Sequence, residues 1–308
     1  MKPQRVILIG IVLAAAVFYP FYTGAYLQSV ALSILTYMAL AVSWDMLLRS
    51  GQISLGIAGF FGLGAYTSLL ASLHLGVHGI VGIVISGLLA FLVAGIIGFV
   101  VLRLRGLYFA IVTLALAEIF RVIVRNWSSL TGGSTGEVLS RAIFDGASHH
   151  VYWLMLVVAL LAIAMSIGFR RSRVHFALTS IRNDETVART SGINIFGYLL
   201  FAFSLTAALQ GMAGGAYAQS YAFVTPGDSF SVDFTLLPIA MALLGGIYGT
   251  VGPIVGAVVL GFIAEYLKLY VPYGHLVVYG IIIVLVILFM PRGITGLLRE
   301  RLLERSKR

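Results

Sequence analysis

Residues 51–66 read GQISLGIAGFFGLGAY, an apolar run with no charged residue in which glycine recurs about every three positions. Glycines at this spacing remove side chains from one face of a helix, so a second helix or a solute can approach the backbone closely. The polar groups at the start of the run suit a broken helix that faces a water-filled path. The run therefore predicts a membrane helix whose glycines serve either tight packing or translocation. Its candidate pathway residues are Gln52, Ser54, Gly59, Gly64 and Tyr66.

The composition of the whole chain excludes a soluble fold. Of its 308 residues, 60% are apolar and 10% are charged, the mean hydropathy is +1.03, and there is no cysteine. A soluble domain carries about 25% charged and about 45–50% apolar residues, so this chain lacks the polar side chains to cover a surface in water. The same numbers exclude a disordered chain, and the lack of cysteine excludes a metalloenzyme that uses thiolates.

Apolar stretches of about 20 residues, enough to cross roughly 30 Å of hydrocarbon, recur along the whole sequence. We expect an all-α, polytopic integral membrane protein that forms one transmembrane domain over residues 1–308. The first stretch resembles a signal peptide but lacks a clear cleavage site, so it is expected to be retained. The ten predicted spans are 6–22, 27–48, 52–73, 79–102, 107–124, 151–169, 197–219, 234–250, 252–270 and 275–290.

The distribution of Lys and Arg predicts the orientation. If the N-terminus is cytoplasmic, the inside gaps and the basic tail 291–308 hold most of the cations, as the positive-inside rule requires. Both termini are then cytoplasmic. Topology and anionic lipid headgroups account for the net charge of +9, which therefore indicates a membrane surface and no nucleic acid partner. The inside gaps contain Lys2, Arg5, Arg49, Arg103, Arg105, Arg170, Arg171, Arg173, Arg182 and Arg189.

Residues 27–124 and 197–290 are candidates for an inverted repeat, because an offset of five crossings reverses the direction of each span. The second member of each set, 52–73 and 234–250, is rich in glycine, and interrupted segments at matching positions often mark a transport site. In the second set, Gly245 and Gly246 predict a tight turn or break first and a pathway element second.

Few charged residues fall inside predicted spans. A charge near the bilayer centre costs about 2.5–3.5 kcal/mol even on the lenient insertion scale, so it normally faces protein or water. Glu118 and Arg121 are three residues apart, as are Glu265 and Lys268, and each pair can meet on one helix face. Glu118 lies deeper than Glu265 and remains a candidate pathway residue. Asp45 is the remaining charge.

The long cytoplasmic gap at 170–196 predicts one or two short amphipathic helices. Apolar residues such as Phe176, Ile181 and Val187 recur at near-helical spacing beside charges of both signs. Such a helix either lies on the headgroups or docks in a groove of a cytoplasmic partner.

Two external features and two absent motifs bear on whether the chain binds a ligand, a metal or a cofactor. The external residues Gly132, Gly133 and Ser134 predict either a nest of backbone N–H groups for a carboxylate or docking surface, or a flexible loop. His149 and His150 lack a third ligand nearby, so no metal site is expected. No Gly-Lys dipeptide and no H-E-x-x-H occur, so the chain is expected to bind no cofactor and to hydrolyse no ATP itself.

Several of these segments together resemble the permease subunits of branched-chain amino acid ABC importers, in particular the second of the two related permeases. The matching segments appear in family order over about residues 30–295. They are 51–56 (GQISLG), 62–66 (GLGAY), 104–115 (LRGLYFAIVTLA), 130–136 (LTGGSTG), 177–185 (ALTSIRNDE), 192–194 (GIN), 213–218 (AGGAYA), 244–246 (LGG) and 252–253 (GP).

The resemblance implies a permease of the bacterial inner membrane that is not itself an enzyme. It pairs with a homologous permease, sits on two cytoplasmic ATP-binding subunits, and receives solute from a periplasmic or lipid-anchored binding protein. Ile57 and Glu137 depart from the residues common in the family, which leaves the solute open among branched-chain and other amino acids, urea and short amides. The residues that the resemblance assigns to coupling with the ATPase are Arg182, Asp184, Glu185, Ala188, Gly192, Ile193 and Asn194.

A different class also fits the sequence, an ion- or proton-coupled carrier in which Glu118 is the protonatable site. An integral membrane enzyme lacks support, since no nucleophile and base pair is found.

The substitution Glu118→Gln separates the two transport classes, because it removes the titratable proton and keeps the side-chain size. Solute uptake should be retained if ATP drives transport and lost if a proton does. Uptake measured after ATP depletion, and again after collapse of the proton gradient, is the matching control.

Overall fold

The computed structural model describes residues 3–139 and 142–270, together with 277–278, 280–281, 284–285 and 293–297. Over these residues the protein is mostly α-helical, and the strands β1 (Glu137–Val138) and β2 (Phe223–Val224) form one short antiparallel pair. The helices are α1 (Pro3–Tyr22), α2 (Ala25–Leu48), α3 (Ile57–Leu75), α4 (Gly79–Val101), α5 (Leu107–Asn126), α6 (Ser128–Thr131), α7 (Ser148–Arg171), α8 (Arg173–Asn183), α9 (Glu185–Thr190), α10 (Ile195–Tyr221), α11 (Pro226–Ser229), α12 (Asp233–Gly245) and α13 (Val251–Tyr270).

Eight segments of the described residues are helical, long and apolar enough to cross a membrane, which confirms the all-α polytopic fold. The helix α1 adds a shorter apolar stretch, Gly10–Tyr22. Most predicted boundaries fall within three residues of the observed ones. The tenth predicted span, 275–290, and the tail 291–308 lie largely outside the described residues.

The opening stretch does not begin as a helix, because residues 52–56 are non-helical and α3 begins only at Ile57. Side chains from other helices form hydrogen bonds with the backbone of this non-helical segment. The Trp44 indole donates to the Ser54 carbonyl at 2.8 Å, and the Leu55 N–H donates to the Thr113 hydroxyl at 2.9 Å. Irregular backbone in a membrane protein is tolerated where protein covers it, and this segment meets that condition.

The helix α12 also follows a non-helical segment, and its first turn contacts the start of α3. The Ala58 N–H donates to the Thr235 hydroxyl at 3.1 Å, and that hydroxyl donates to the Leu55 carbonyl at 3.4 Å. The rings of Phe61 and Phe234 stack with their centroids 4.0 Å apart. Two interrupted helices therefore begin at one place, an arrangement that suits the inverted repeat, which stays a prediction.

The helix α10 lies at the centre of the packing and contacts α2, α3, α4 and α7. Glycine makes the closest of these contacts possible. A Cβ at Gly64 would overlap the Gly211 backbone of α10, and a Cβ at Gly214 would overlap the Phe61 carbonyl of α3. A Cβ at Gly59 would lie 2.8 Å from the Ala117 Cα of α5. Glycines of the opening stretch thus serve the tight packing that was one of their two predicted uses.

Candidate functional site

The predicted coupling loop folds as two short helices, α8 and α9, with one face held by the protein. Leu178, Ile181 and Ala188 are buried, whereas the side chains of Phe176 and Val187 are 67% and 59% exposed. Charged residues lie within three positions of both exposed side chains in the sequence. The loop therefore presents an unpartnered, mixed apolar and charged face.

Three of the predicted coupling residues shape the loop itself. The Asp184 carboxylate caps α9 by accepting from the Thr186 and Val187 N–H groups at 2.8 and 3.1 Å. The helix ends in a Schellman motif, in which the Ile193 N–H donates to the Ala188 carbonyl and Gly192 takes φ +78°. Lastly, the Asn194 side chain caps α10 by accepting from the Gly197 N–H at 3.0 Å.

Glu185 ties α9 to the turn between α4 and α5. Its carboxylate accepts two hydrogen bonds from the Arg105 guanidinium, at 3.1 and 3.3 Å, and one from Arg189 at 3.4 Å. The hydrogen bond from Arg105 holds the pKa of Glu185 below its usual range. The contact is therefore fully ionised at neutral pH and is lost only as the pH falls through that lowered pKa.

Arg182 connects the loop to both glycine-rich breaks. Its guanidinium lies 4.1 Å from the centre of the Tyr248 ring, in the turn between α12 and α13. A Cβ built on Gly51, at the start of the non-helical segment before α3, would lie 3.2 Å from the Arg182 Cγ. A displacement of α8 therefore bears directly on the segments that precede α3 and follow α12.

Beneath Tyr248 lies a buried ion pair between Asp45 and Arg49, at 2.9 Å, with both side chains at most 1% exposed. The Tyr248 N–H donates to the Asp45 carboxylate. Arg49 donates to the Ser166 hydroxyl at 2.8 Å and to the Thr250 hydroxyl at 3.4 Å. The pair thus joins α2, α7 and the turn after α12 on the side of the molecule predicted to be cytoplasmic.

Sequence reasoning missed this network, because Arg49 counted only as a cation of an inside gap and Asp45 had no assigned partner. The spacing of four residues was the available signal, since it places both side chains on one helix face. The contacts to Ser166 and Thr250 have no such local signal.

The matches to known proteins agree with this arrangement. Residues 26–287 match the family model of the branched-chain amino acid transport system permease component. The chain belongs to this family.

The relatives of this permease carry two names, LivM and LivH. It is 30% identical to the high-affinity branched-chain amino acid transport system permease protein LivM of Escherichia coli K12, over 97% of this chain and 76% of LivM. It is 29% identical to LivM of Salmonella typhimurium LT2, over 98% of this chain and 77% of that protein. It is 28% identical to LivH of Escherichia coli K12, over 85% of this chain and 91% of LivH. No solved structure matches the chain.

The predicted pathway residues of the permease do not form one cluster. Gln52 and Tyr66 are both buried. Within the described residues, the side-chain amide oxygen of Gln52 and the hydroxyl of Tyr66 have no hydrogen-bond partner. Ser54 accepts from the Gly56 N–H at 3.2 Å. Gly245 is the last residue of α12 and Gly246 is its C-cap, so both lie at the opposite end of α12 from the place where its first turn meets α3. Their role in translocation stays a prediction.

Glu118 lies apart from all of these, on the outer face of α5. Its side chain is 56% exposed and pairs with the Arg121 guanidinium at 3.3 Å. The predicted external residues Gly132, Gly133 and Ser134 lie beside the β1–β2 pair, and both glycines adopt positive φ. A ligand role for this loop stays a prediction, and no metal-binding cluster occurs among the residues that the structure describes.

The buried pair predicts an asymmetric response to mutation. The single substitution Arg49→Met should destabilise the protein by about 3–5 kcal/mol, because it leaves the Asp45 charge buried without a partner. Adding Asp45→Asn should recover most of that loss, because no charge then remains in the interior. Thermal unfolding midpoints in detergent measure both effects.

The control is Arg189→Gln, which removes a 75% exposed partner of Glu185 and should cost at most about 1 kcal/mol. A midpoint for Arg49→Met equal to that of the unsubstituted protein would show that the pair does not stabilise the fold.

Proposed function

We propose that this chain is the transmembrane permease subunit of an ABC importer that moves branched-chain or related small amino acids across the bacterial inner membrane. Family membership carries the proposal, and the exposed face of α8 and α9 supports the division of labour. The chain supplies the conduit, binds no cofactor, and takes its energy from ATP hydrolysed by two separate cytoplasmic subunits. Both termini are cytoplasmic in this arrangement.

The coupling loop docks in a groove of the ATP-binding subunit. Phe176 and Val187 supply the apolar contacts, and the adjacent Asp184 and Glu185 supply negative charge. Because these carboxylates lie among the arginines of the loop, the loop carries charges of both signs, which favours a groove of a protein partner over anionic headgroups. Closure of the ATP-binding subunits moves the loop, and Arg182 passes that displacement to Tyr248 and Gly51.

A second permease covers α5, the least buried of the described membrane helices. A charged pair facing lipid is costly, so Glu118 and Arg121 require protein or water in front of them. Similarity to both LivM and LivH supports a homologous partner, because those two names belong to permeases of one kind of transport system. Solute reaches the pair from a periplasmic or lipid-anchored binding protein.

Reconstitution tests the proposed energy source. Liposomes that contain this permease, its partner permease and both ATP-binding subunits should concentrate a branched-chain amino acid when ATP and the binding protein are present. Liposomes with the permease alone should not, because the sequence contains no phosphate-binding G-x-x-x-x-G-K-[ST] loop. Accumulation by the lone permease, driven by a proton gradient, would instead establish the ion-coupled carrier, for which the match to the family gives no support.

The docking role of the loop predicts two severe variants and one mild one. Gly192→Pro forces a negative φ where the Schellman motif needs φ +78°, and Glu185→Arg sets a third cation beside Arg105 and Arg189. Both should abolish copurification of the ATP-binding subunits and amino acid uptake. Gly192→Asn is the matched control, since asparagine tolerates a left-handed backbone and a Cβ there meets nothing within 4 Å.

Copurification and uptake that survive both Gly192→Pro and Glu185→Arg would rule out docking through this loop.

Arg182 predicts a defect in transmission without a defect in docking. Replacement by leucine removes the cation over the half-exposed Tyr248 ring, a contact worth about 0.5–1 kcal/mol, and should lower uptake per ATP hydrolysed by about 2- to 5-fold. Arg182→Lys keeps the positive charge and should lose less. Copurification of the ATP-binding subunits should be normal for both. An unchanged ratio of uptake to hydrolysis in Arg182→Leu would remove Arg182 from the coupling route.

A further inference from the structure

A cavity of about 280 Å³ lies between α2, α10, α12 and α13, on the side opposite the coupling loop. Along α2 it extends from Tyr26, in the first turn, to Thr36 at the middle of the helix. Ten residues of helix correspond to about 15 Å, so the cavity reaches about half-way through the bilayer. It is separate from the buried pair and from the outer face of α5.

The wall that α2 contributes is polar along its length. Ser29, Ser33 and Thr36 follow one another at spacings of four and three residues, which places the three hydroxyls on one face of the helix. Ser29 and Thr36 donate to carbonyls of the preceding turn, at 3.1 and 2.9 Å. Their oxygens therefore remain as acceptors toward the cavity. Such a row of hydroxyls at membrane depth suits a hydrated cavity that receives a polar solute.

One carboxylate and one ammonium line the same cavity. The Lys268 Nζ lies 2.8 Å from the Glu265 carboxylate, one turn before the end of α13, and the side chains are 40% and 17% exposed. An ion pair that faces a cavity presents the two opposite charges side by side. A free α-amino acid carries the same two charges on adjacent groups. It can therefore lie head to tail against the pair, with its ammonium on Glu265 and its carboxylate on Lys268.

The inner end of the cavity is aromatic. Phe234 lies there, in the first turn of α12, with ring centroids 5.8 Å from Tyr37 and 5.4 Å from Tyr217. The same ring stacks on Phe61 of α3 at 4.0 Å, so the inner end of the cavity is the place where the two interrupted helices meet. An aliphatic side chain that packs on these rings is removed from water, which favours a small apolar amino acid over a polar one.

We propose that this cavity is an entry site for the zwitterion of a small apolar amino acid, held by Glu265 and Lys268 with its side chain on Phe234. The inference rests on the proposed function for the class of solute. Because Glu265 and Lys268 already neutralise each other, the solute relieves no bare charge and binds weakly. Weak binding is what a transport route needs, since a deep binding well would retain the solute.

Equilibrium binding of radiolabelled L-leucine tests the site, with the permease assembly in nanodiscs and neither ATP nor binding protein present. The unsubstituted protein should bind L-leucine in the millimolar range. Two competitors, 4-methylpentanoate and 3-methylbutylamine, each keep the aliphatic chain and one charge, and each should bind at least tenfold more weakly than L-leucine. This comparison needs no variant and is therefore independent of folding defects.

Variants then locate the site. Glu265→Gln and Lys268→Met should each weaken L-leucine binding at least tenfold, with thermal unfolding midpoints measured to check the fold. Arg103→Gln is the matched control, because it also removes one positive charge, from an exposed side chain outside the cavity, and should change L-leucine binding less than twofold.

The site is overturned if the unsubstituted assembly binds no L-leucine, if either single-charge analogue binds as well as L-leucine, or if both folded variants bind as the unsubstituted protein does. ATP-driven uptake by the same purified assembly, reconstituted in liposomes with the binding protein, separates this failure from failure of the proposed function. Uptake without an L-leucine site leaves the importer standing and removes the entry site. An assembly that takes up no amino acid under ATP removes the importer, whatever its binding.

Discussion

Asp45 and Arg49 lie side by side in the protein interior, where neither side chain has appreciable contact with solvent. An ion pair in a low-dielectric interior survives only when further hydrogen bonds satisfy the remaining donors and acceptors. Here those bonds come from Ser166 in α7 and from Thr250 and the Tyr248 backbone in the turn after α12. The hydrogen bonds of this one buried pair therefore hold α2, α7 and the turn after α12 in place relative to one another.

The proposed coupling loop is connected to this buried ion pair through Tyr248. Tyr248 donates its backbone N–H to Asp45 and offers its ring to Arg182, so a single residue joins the buried pair to α8. Arg182 also lies against Gly51, where the chain leaves α2 for the non-helical segment before α3. The proposed movement of the loop would therefore reach both places where the helices are interrupted.

Opposite ends of the molecule carry different chemistry. The side with the coupling loop holds arginines whose hydrogen bonds join separate helices and turns, which suits the transfer of force. The other side holds a cavity with hydroxyls, one ion pair and aromatic rings, which suits a hydrated solute. The contact of Thr235 with Ala58 and Leu55 lies between them and links the interrupted helices α3 and α12. Further along α3, glycines pack this helix tightly against α10.

Composition and hydropathy alone determined that the chain is an all-α membrane protein, because a bilayer accepts only segments that satisfy their own backbone hydrogen bonds over a sufficient length. Local spacing also predicted the amphipathic helices of the loop at 170–196, which the structure has as α8 and α9. Only the tertiary structure decided which of the glycines in 51–66 serve packing, what Asp45 and Arg49 contact, and that Glu265 and Lys268 face a cavity. Those facts depend on residues up to about 200 positions apart in the chain, and no local pattern encodes which distant side chain will complete a hydrogen bond or leave a space.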